Sequence, residues 1–311
     1  MKKDNALTIF VFSLLILIFP LIYKDTYLLT IGIFIGINAL VAIGLTILMG
    51  YAGQISIGQA GFYGIGAYVS AILSLYFGLP VLLSMLLAIV VACIVSIFIA
   101  IPALRLKGHY LAVATLGFGE IVYLILNEWG PGGPSGFGDI PRISLFGYTF
   151  TTSYEYFYFV WSIVIIVMIF SFNLINSMTG KALKAIHGSE TASATVGINI
   201  VKLKIKVFIL SAFYASMAGA IYAHYVTFLS PSSFSLFYSV MVLMMVVVGG
   251  ISNLWGGVVG AFIITILPEL LRGFKELDVL VYGIILTIAL LFVRKGFVPL
   301  ILEGYRRWLQ K

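Results

Sequence analysis

Charge is what this chain has least of. Only 9% of its 311 residues are Asp, Glu, Lys or Arg, while 62% are hydrophobic. Soluble domains carry roughly 25% charged residues, so no water-facing shell can be drawn from this composition. That excludes a soluble globular domain and leaves an integral membrane protein. Cysteine is almost missing too: Cys93 stands alone in an apolar run, which excludes a disulfide framework and a thiolate metal site. The histidines, His109, His187 and His224, are too scattered to hold a metal, and no nucleophile–base pairing is visible. No G-x-x-x-x-G-K-[ST] motif occurs, because Gly180-Lys181 is followed by Ala182 and no glycine stands at position 175. The chain therefore cannot cradle nucleotide phosphates by itself. No enzyme activity, metal or cofactor of its own is expected. The period-two alternation of a membrane β-barrel is also absent.

What remains is a series of apolar segments of the length a helix needs to cross a bilayer. The expected fold is all-α, one transmembrane domain over residues 1–311 with about ten spans. The spans are read at 6–23, 27–49, one ending near Phe77, 81–101, 109–129, 156–175, 207–228, 238–254, 256–271 and 279–293. Gly78 and Pro80, the Pro102–Lys107 stretch and Pro231 supply breaks. The basic head and apolar body of the first segment resemble a signal peptide. No small-x-small cleavage site follows near Lys24, so an uncleaved span is expected.

The net charge of +7 is an orientation signal rather than a nucleic-acid footprint. With the N-terminus inside, fourteen of the eighteen Lys and Arg residues fall on the inner segments. Lys24, Arg142, Arg272 and Lys275 alone fall outside. This asymmetry predicts an N-in, C-in topology. No internal repeat emerges, although Gly50–Gly66 and Gly249–Gly260 are both glycine-rich links after an apolar helix.

Small residues mark expected close approaches of helices: the pairs Gly32/Gly36 and Gly256/Gly260, and the run Ala212/Ser216/Ala220. Gln54, Ser56 and Gln59 need partners at membrane depth, so they line a translocation path or bridge helices internally. Glu120 is an acid near the middle of the fifth span, and an intramembrane carboxylate is expensive. It contacts a substrate ammonium, belongs to a gating pair, or bonds to a neighbouring helix. Asn38 in the second span carries a similar path-lining expectation.

The one long polar run is 177–206, with Lys181, Lys184, Lys202, Lys204 and Lys206 against the single acid Glu190. Ser189 is a suitable N-cap, Glu190 complements the dipole of a first turn, and Gly197 is placed to end a short helix in the left-handed region. Thr191 and Ala192 lie inside that helix. A helix of some seven residues, ~10 Å long, is marginal alone in water. It therefore packs against something. The loop either lies solvated on lipid headgroups or docks a soluble partner.

Several segments together resemble permease subunits of the branched-chain amino acid ABC importers, of the longer type known as the M subunit. They are GYAGQISIGQAGFYGIGAY (50–68), ALRLKGHYLAVATLGFGEI (103–121), GGPSGF (132–137), GKALKAI…GI (180–198), SAFYASMAGAIYAHYVTFLSPSSF (211–234) and GGISNLWGGVVGA (249–261). The likeness runs over residues 30–293. Urea and short-chain amide importers have similar permeases and are the alternative within the class; an ion-coupled secondary transporter using Glu120 is the alternative outside it. The coupling loop of the family has the form E-A-A-x-x-x-G. Aligned on Gly197 it reads Thr191-Ala192-Ser193 here, with Glu190 one place early. The resemblance implies a multi-pass protein of the bacterial inner membrane that imports leucine, isoleucine and valine. It implies two cytoplasmic ATPase subunits that bind the ATP and dock on 177–206, and a second, homologous permease. A periplasmic or lipid-anchored binding protein would face residues 130–137, in the periplasmic loop 130–155, and residues 230–234. Membrane lipid is an implied partner, and nucleic acid is not.

Overall fold

The fold is seen in a computed structural model that describes residues 3–22, 25–103, 109–145, 147–270 and 283–284. The expected tenth span at 279–293, the basic tail after it and the Arg105–Lys107 loop lie outside the described residues. Helix α1 is Lys3–Ile22, α2 is Thr26–Thr46, and a π-helical turn, Ile47–Tyr51, extends α2. Then follow α3 (Gln59–Leu75), α4 (Val81–Ala103) and α5 (His109–Trp129). A small antiparallel hairpin, β1 (Ser144–Leu145) and β2 (Tyr148–Thr149), pairs Ser144 with Thr149. Helices α6 (Ser153–Asn176), α7 (Met178–Gly188), α8 (Glu190–Thr195) and α9 (Ile200–Val226) come next. The described part closes with α10 (Leu236–Gly249) and α11 (Leu254–Leu270).

Local chemistry fixes the ends of these helices. The Asp25 carboxylate accepts from the Tyr27 N–H at 3.0 Å and starts α2. Thr152 and Glu155 form a reciprocal capping box that starts α6. Gly78, at φ +64°, and Pro80 separate α3 from α4. Five segments are long and apolar enough to cross a membrane: Thr26–Tyr51, Val81–Pro102, His109–Trp129, Ser153–Asn176 and Ile200–Val226. Three shorter apolar helices, Leu7–Ile22, Leu236–Gly249 and Leu254–Leu270, accompany them. The protein is an all-α, multi-pass membrane protein.

Helix α2 is the axis of the bundle. Leu29, Ile33, Ile37, Leu40 and Ile43 are wholly buried, and from Ile35 to Leu48 every face of the helix is covered. A helix apolar all round belongs in the interior. By contrast α1, α4 and α5 turn large side chains outward, among them Phe10, Leu86, Phe98, Val113 and Ile121. Such surface is stable against lipid tails and not against water.

The small residues sit where helices meet. A β-carbon on Gly36 would lie 2.6 Å from Val160 of α6, and one on Gly32 2.7 Å from the Phe157 ring. On α11, Gly256 and Gly260 take the backbone of the α10 region, with Met245 O 1.7 Å from the β-carbon position of Gly260. The tightest long-range seam joins α3 and α9. Gly66 lies against the Ser216 carbonyl and Gly219 against the Tyr63 carbonyl, 2.1 and 1.9 Å from where their β-carbons would be.

Several boundaries differ from the sequence reading. The helix read at 207–228 begins at Ile200, so Lys202, Lys204 and Lys206 belong to α9 rather than to a loop. Residues 177–188 are helical as well. The eighth span stops at Gly249, because Gly250 at φ +121° breaks it. The stretch 130–155 is folded rather than merely polar: Phe137 and Leu229 exchange backbone hydrogen bonds at 2.9 Å, and Ile143 is fully buried.

Candidate functional site

The short helix α8 is built from its caps inward. Ser189 Oγ accepts from the Ala192 N–H at 3.3 Å, and the Ser189 carbonyl receives Ser193 Oγ–H at 2.8 Å. At the other end Gly197 has φ +83°. Its N–H reaches Ala194 O at 3.0 Å and the Ile198 N–H reaches Ser193 O at 3.1 Å. That pair of bonds is the Schellman arrangement, and its left-handed residue is glycine because a β-carbon there is strained. Helix α8 is tied to the bundle by Glu190, whose Oε1 lies 2.6 Å from Lys204 Nζ on α9. Ser193 faces inward and is buried, while Thr191, Ala192, Ala194 and Thr195 remain exposed and Val196 is 81% exposed. A six-residue helix is thus held rigidly with most of its circumference free.

Beside it, α7 is seated on the membrane bundle by Leu183 and Ile186, both buried one turn apart. It also touches the turn that ends α2. Lys184 Nζ sits 5.5 Å above the centroid of the Tyr51 ring. The ring of His187 lies 3.6 Å from where a β-carbon of Gly53 would be. The Tyr51 hydroxyl donates to Ser252 O at 3.0 Å. The two glycine-rich links, alike by eye in the sequence, interlock: Gly50 leaves 1.7 Å between its β-carbon position and Ile251 O. Any shift of α7 therefore bears on the interior through residues 47–54.

The five polar residues read as path-lining do not form one cluster. Gln59 bridges helices, donating from Nε2 to Ser211 Oγ of α9 at 3.1 Å. Ser56 Oγ lies 3.5 Å from the Gly58 N–H. Gln54 is 1% exposed, and neither its Oε1 nor its Nε2 has a hydrogen-bond partner among the described residues. Orphaned buried amides are rare and ask for a reason. The segment also reaches α5, since Ile57 N–H donates to Thr115 Oγ1 at 3.0 Å.

Glu120 lies elsewhere, half-buried on α5, and makes no hydrogen bond or ion pair among the described residues. The expectation that it bonds to a neighbouring helix is not met within the described part of this chain. Around it α5 exposes Val113, Ile121, Leu124 and Ile125. Asn38 is the best-satisfied of the five: Nδ2 donates to Thr265 Oγ1 at 2.9 Å and Oδ1 accepts from the Tyr238 hydroxyl at 3.0 Å. It lines a half-open pocket of about 280 Å³ bordered by α2, α3, α9, α10 and α11.

One polar knot went unread in the sequence. His224 on α9 is fully buried, with Nε2 2.7 Å from Ser70 Oγ of α3 and Nδ1 2.6 Å from the Pro141 carbonyl. The carbonyl can only accept, so Nδ1 carries a proton; in the neutral form of the ring, Nε2 then accepts from the Ser70 hydroxyl. A histidine alone in an apolar run was the available signal; its partners lie 83 and 154 residues away. No cluster of three His, Cys, Asp or Glu that could hold a metal exists among the described residues.

Comparison with known proteins gives a family. A profile described as branched-chain amino acid transport system / permease component matches residues 27–290. The high-affinity branched-chain amino acid transport system permease protein LivM of Salmonella typhimurium is 32% identical over 289 residues, covering 85% of this chain and 68% of that protein. Its Escherichia coli counterpart is 31% identical over the same shares. A probable LivM of Methanocaldococcus jannaschii is 24% identical over 319 residues, covering 85% of this chain and 91% of its own. No solved structure matches the chain.

Proposed function

The chain belongs to the family of branched-chain amino acid transport permease components, and on that footing we propose that it is a membrane subunit of an ABC importer for leucine, isoleucine and valine. It supplies half of the translocation path and no chemistry. The ATP is bound by two separate cytoplasmic ATPase subunits, and a second, homologous permease completes the path. A binding protein delivers substrate to the opposite face, where 130–137 and 230–234 meet it. With the N- and C-termini inside, α7 and α8 face the cytoplasm of a bacterial cell, on the side where basic residues concentrate.

The observation that carries this reading is α8. It is capped at both ends, tied to α9 by Glu190 and Lys204, and yet presents Val196 and the Thr191–Thr195 face to solvent. A rigid, half-free helix is a docking element and is poorly explained as a loop lying on headgroups. ATP-driven closure of the ATPases would push α8 and α7. That push passes to residues 47–54 through Lys184 and His187, and onward to Gln54 and α5. Glu120, without a hydrogen bond or ion pair among the described residues, and the apolar face around it on α5 suit contact with the second permease. An intramembrane carboxylate costs less against a watery path than against lipid.

The test is reconstitution of this chain with its ATPases, partner permease and binding protein in proteoliposomes. ATP-dependent uptake of labelled leucine, competed by valine and not by urea, is expected. Uptake driven by a proton gradient without ATP would sink the reading in favour of an ion-coupled carrier. Uptake competed by urea would move it to the amide class.

A further inference from the structure

We propose that the α5 face around Gly117 seats a helix of the second, homologous permease, and that Glu120 beside it selects that homologue over a second copy of this chain. The proposal rests on the importer reading above and adds how its two permeases choose each other. A groove of about 450 Å³ opens between α4 and α5, with Phe98, Ala114, Gly117, Phe118 and Ile121 among its lining and no polar side chain. One turn of a helix, ~10 Å across and ~5.4 Å long, fills roughly 400 Å³, so the groove has the size of a seated turn. Gly117 keeps the α5 wall low: nothing lies within 4 Å of where its β-carbon would be. A glycine so placed lets a second backbone come close. Phe98 and Ile121 are exposed on either side of it.

Size alone would admit a lipid tail as well; Glu120 decides between the two. It follows Gly117 by three residues, so the pair are surface neighbours on α5. It is half-buried near the middle of the span His109–Trp129, and makes no hydrogen bond or ion pair among the described residues. No Lys or Arg occurs in α2, α3, α4, α5, α6, α10 or α11. His109 stands eleven residues away on α5, roughly 16 Å along the axis. A carboxylate at this depth is costly without a donor. Lipid tails offer none, and a partner helix in the groove can. Symmetry then makes the identity of that partner matter. Two permeases inserted the same way round are related by an axis along the membrane normal. In a pair of identical chains meeting at Gly117, each residue of α5 meets its own copy at the same depth, and Glu120 faces Glu120. At a helix spacing of about 8 Å and an effective dielectric of about 20, two such charges weaken pairing roughly thirtyfold. A homologue with a donor at the matching place escapes that penalty. A charge set against the wrong partner is a specificity device.

Two differently tagged copies of the full-length chain are expressed in one membrane, with and without the second permease, and complexes are recovered through one tag in mild detergent. We expect the wild type to recover the second permease and little of its own copy. Glu120→Gln removes the charge and keeps the shape; it should raise recovery of the copy roughly thirtyfold and blunt the preference for the homologue. Gly117→Leu fills space that is free in the single chain. It should lose both partners and keep its melting transition. Unchanged self-recovery by Glu120→Gln overturns the role of the charge. Full recovery of the second permease by folded Gly117→Leu overturns the groove. A wild type that recovers its own copy as readily as the homologue overturns the proposal whole. Uptake by the assembled transporter is scored separately. ATP-driven leucine uptake with unaltered pairing in both variants defeats this inference and leaves the importer reading standing. Selective pairing without ATP-driven uptake defeats the importer reading and leaves selection by Glu120 in place.

Discussion

His224 and Gln54 show two opposite fates of a polar side chain buried in an apolar bundle. His224 has both ring nitrogens engaged, by Ser70 and by Pro141 O. Removing one partner strands the other, at a cost of about 1–3 kcal/mol. Ser70→Ala and His224→Leu should each destabilise the protein by about that much in detergent unfolding experiments. The double variant should lose less than the sum. Additive losses would show that the pair is not coupled. Gln54 has little to lose, because neither amide atom has a partner among the described residues. Gln54→Leu should therefore unfold no earlier than the wild type, and should still lower uptake if a passing substrate or water is what the amide meets. A destabilised variant with full uptake would make Gln54 a structural residue. Glycines divide in the same way. Gly219→Ala would drive a β-carbon into the Tyr63 carbonyl and should prevent α3 and α9 from closing. Gly117→Ala on α5 meets nothing within 4 Å and should fold normally. Expression and gel-filtration profiles of the two variants decide the point.

In the proposed importer, helix α8 is the element through which ATPase closure would reach the bundle, and its two ends are separately vulnerable. Gly197→Val forces a β-branched residue into the left-handed region, at roughly 1–3 kcal/mol of local strain, and removes the Schellman stop. Glu190→Gln leaves the Lys204 ammonium nearly buried without its carboxylate. Both should reduce co-purification of the ATPases and leucine uptake, whereas Val196→Asp should reduce co-purification and leave the unfolding midpoint unchanged. Undiminished ATPase association in all three would end the docking-helix idea. Much of this element was legible in the sequence, because caps are local: Ser189, Glu190 and Gly197 lie within one helix and its flanks. The Lys204 partner was not legible, since assigning 202–206 to the loop hid the fact that α9 starts at Ile200. Apolar runs located most helices for the same reason, by local composition. What escaped was long-range: the interlock of Gly50 with Ile251, the seat of His187 on Gly53, and the scattering of five polar residues over three separate sites. Spacing along one chain carries no record of which helices become neighbours.

At the scale of the molecule, burial is lopsided. Helix α2 is enclosed, while α5 carries Glu120 on a face that also exposes Val113 and Leu124. Single-cysteine probes at Ile121 and Leu124 should cross-link to the second permease in the assembled complex. Reaction with a lipid-soluble maleimide in place of cross-linking would put that face against lipid. The seam between α3 and α9 has a consequence in time. Its halves end and begin at Leu75 and Ile200, and a ribosome adding ~5–20 residues per second takes on the order of ten seconds to cover such a gap. For that interval α3 sits in the bilayer with the polar ends of Gln59 and Ser70 awaiting Ser211 and His224. The newborn chain must be sheltered, by the insertion machinery or by water at the channel, until α9 arrives.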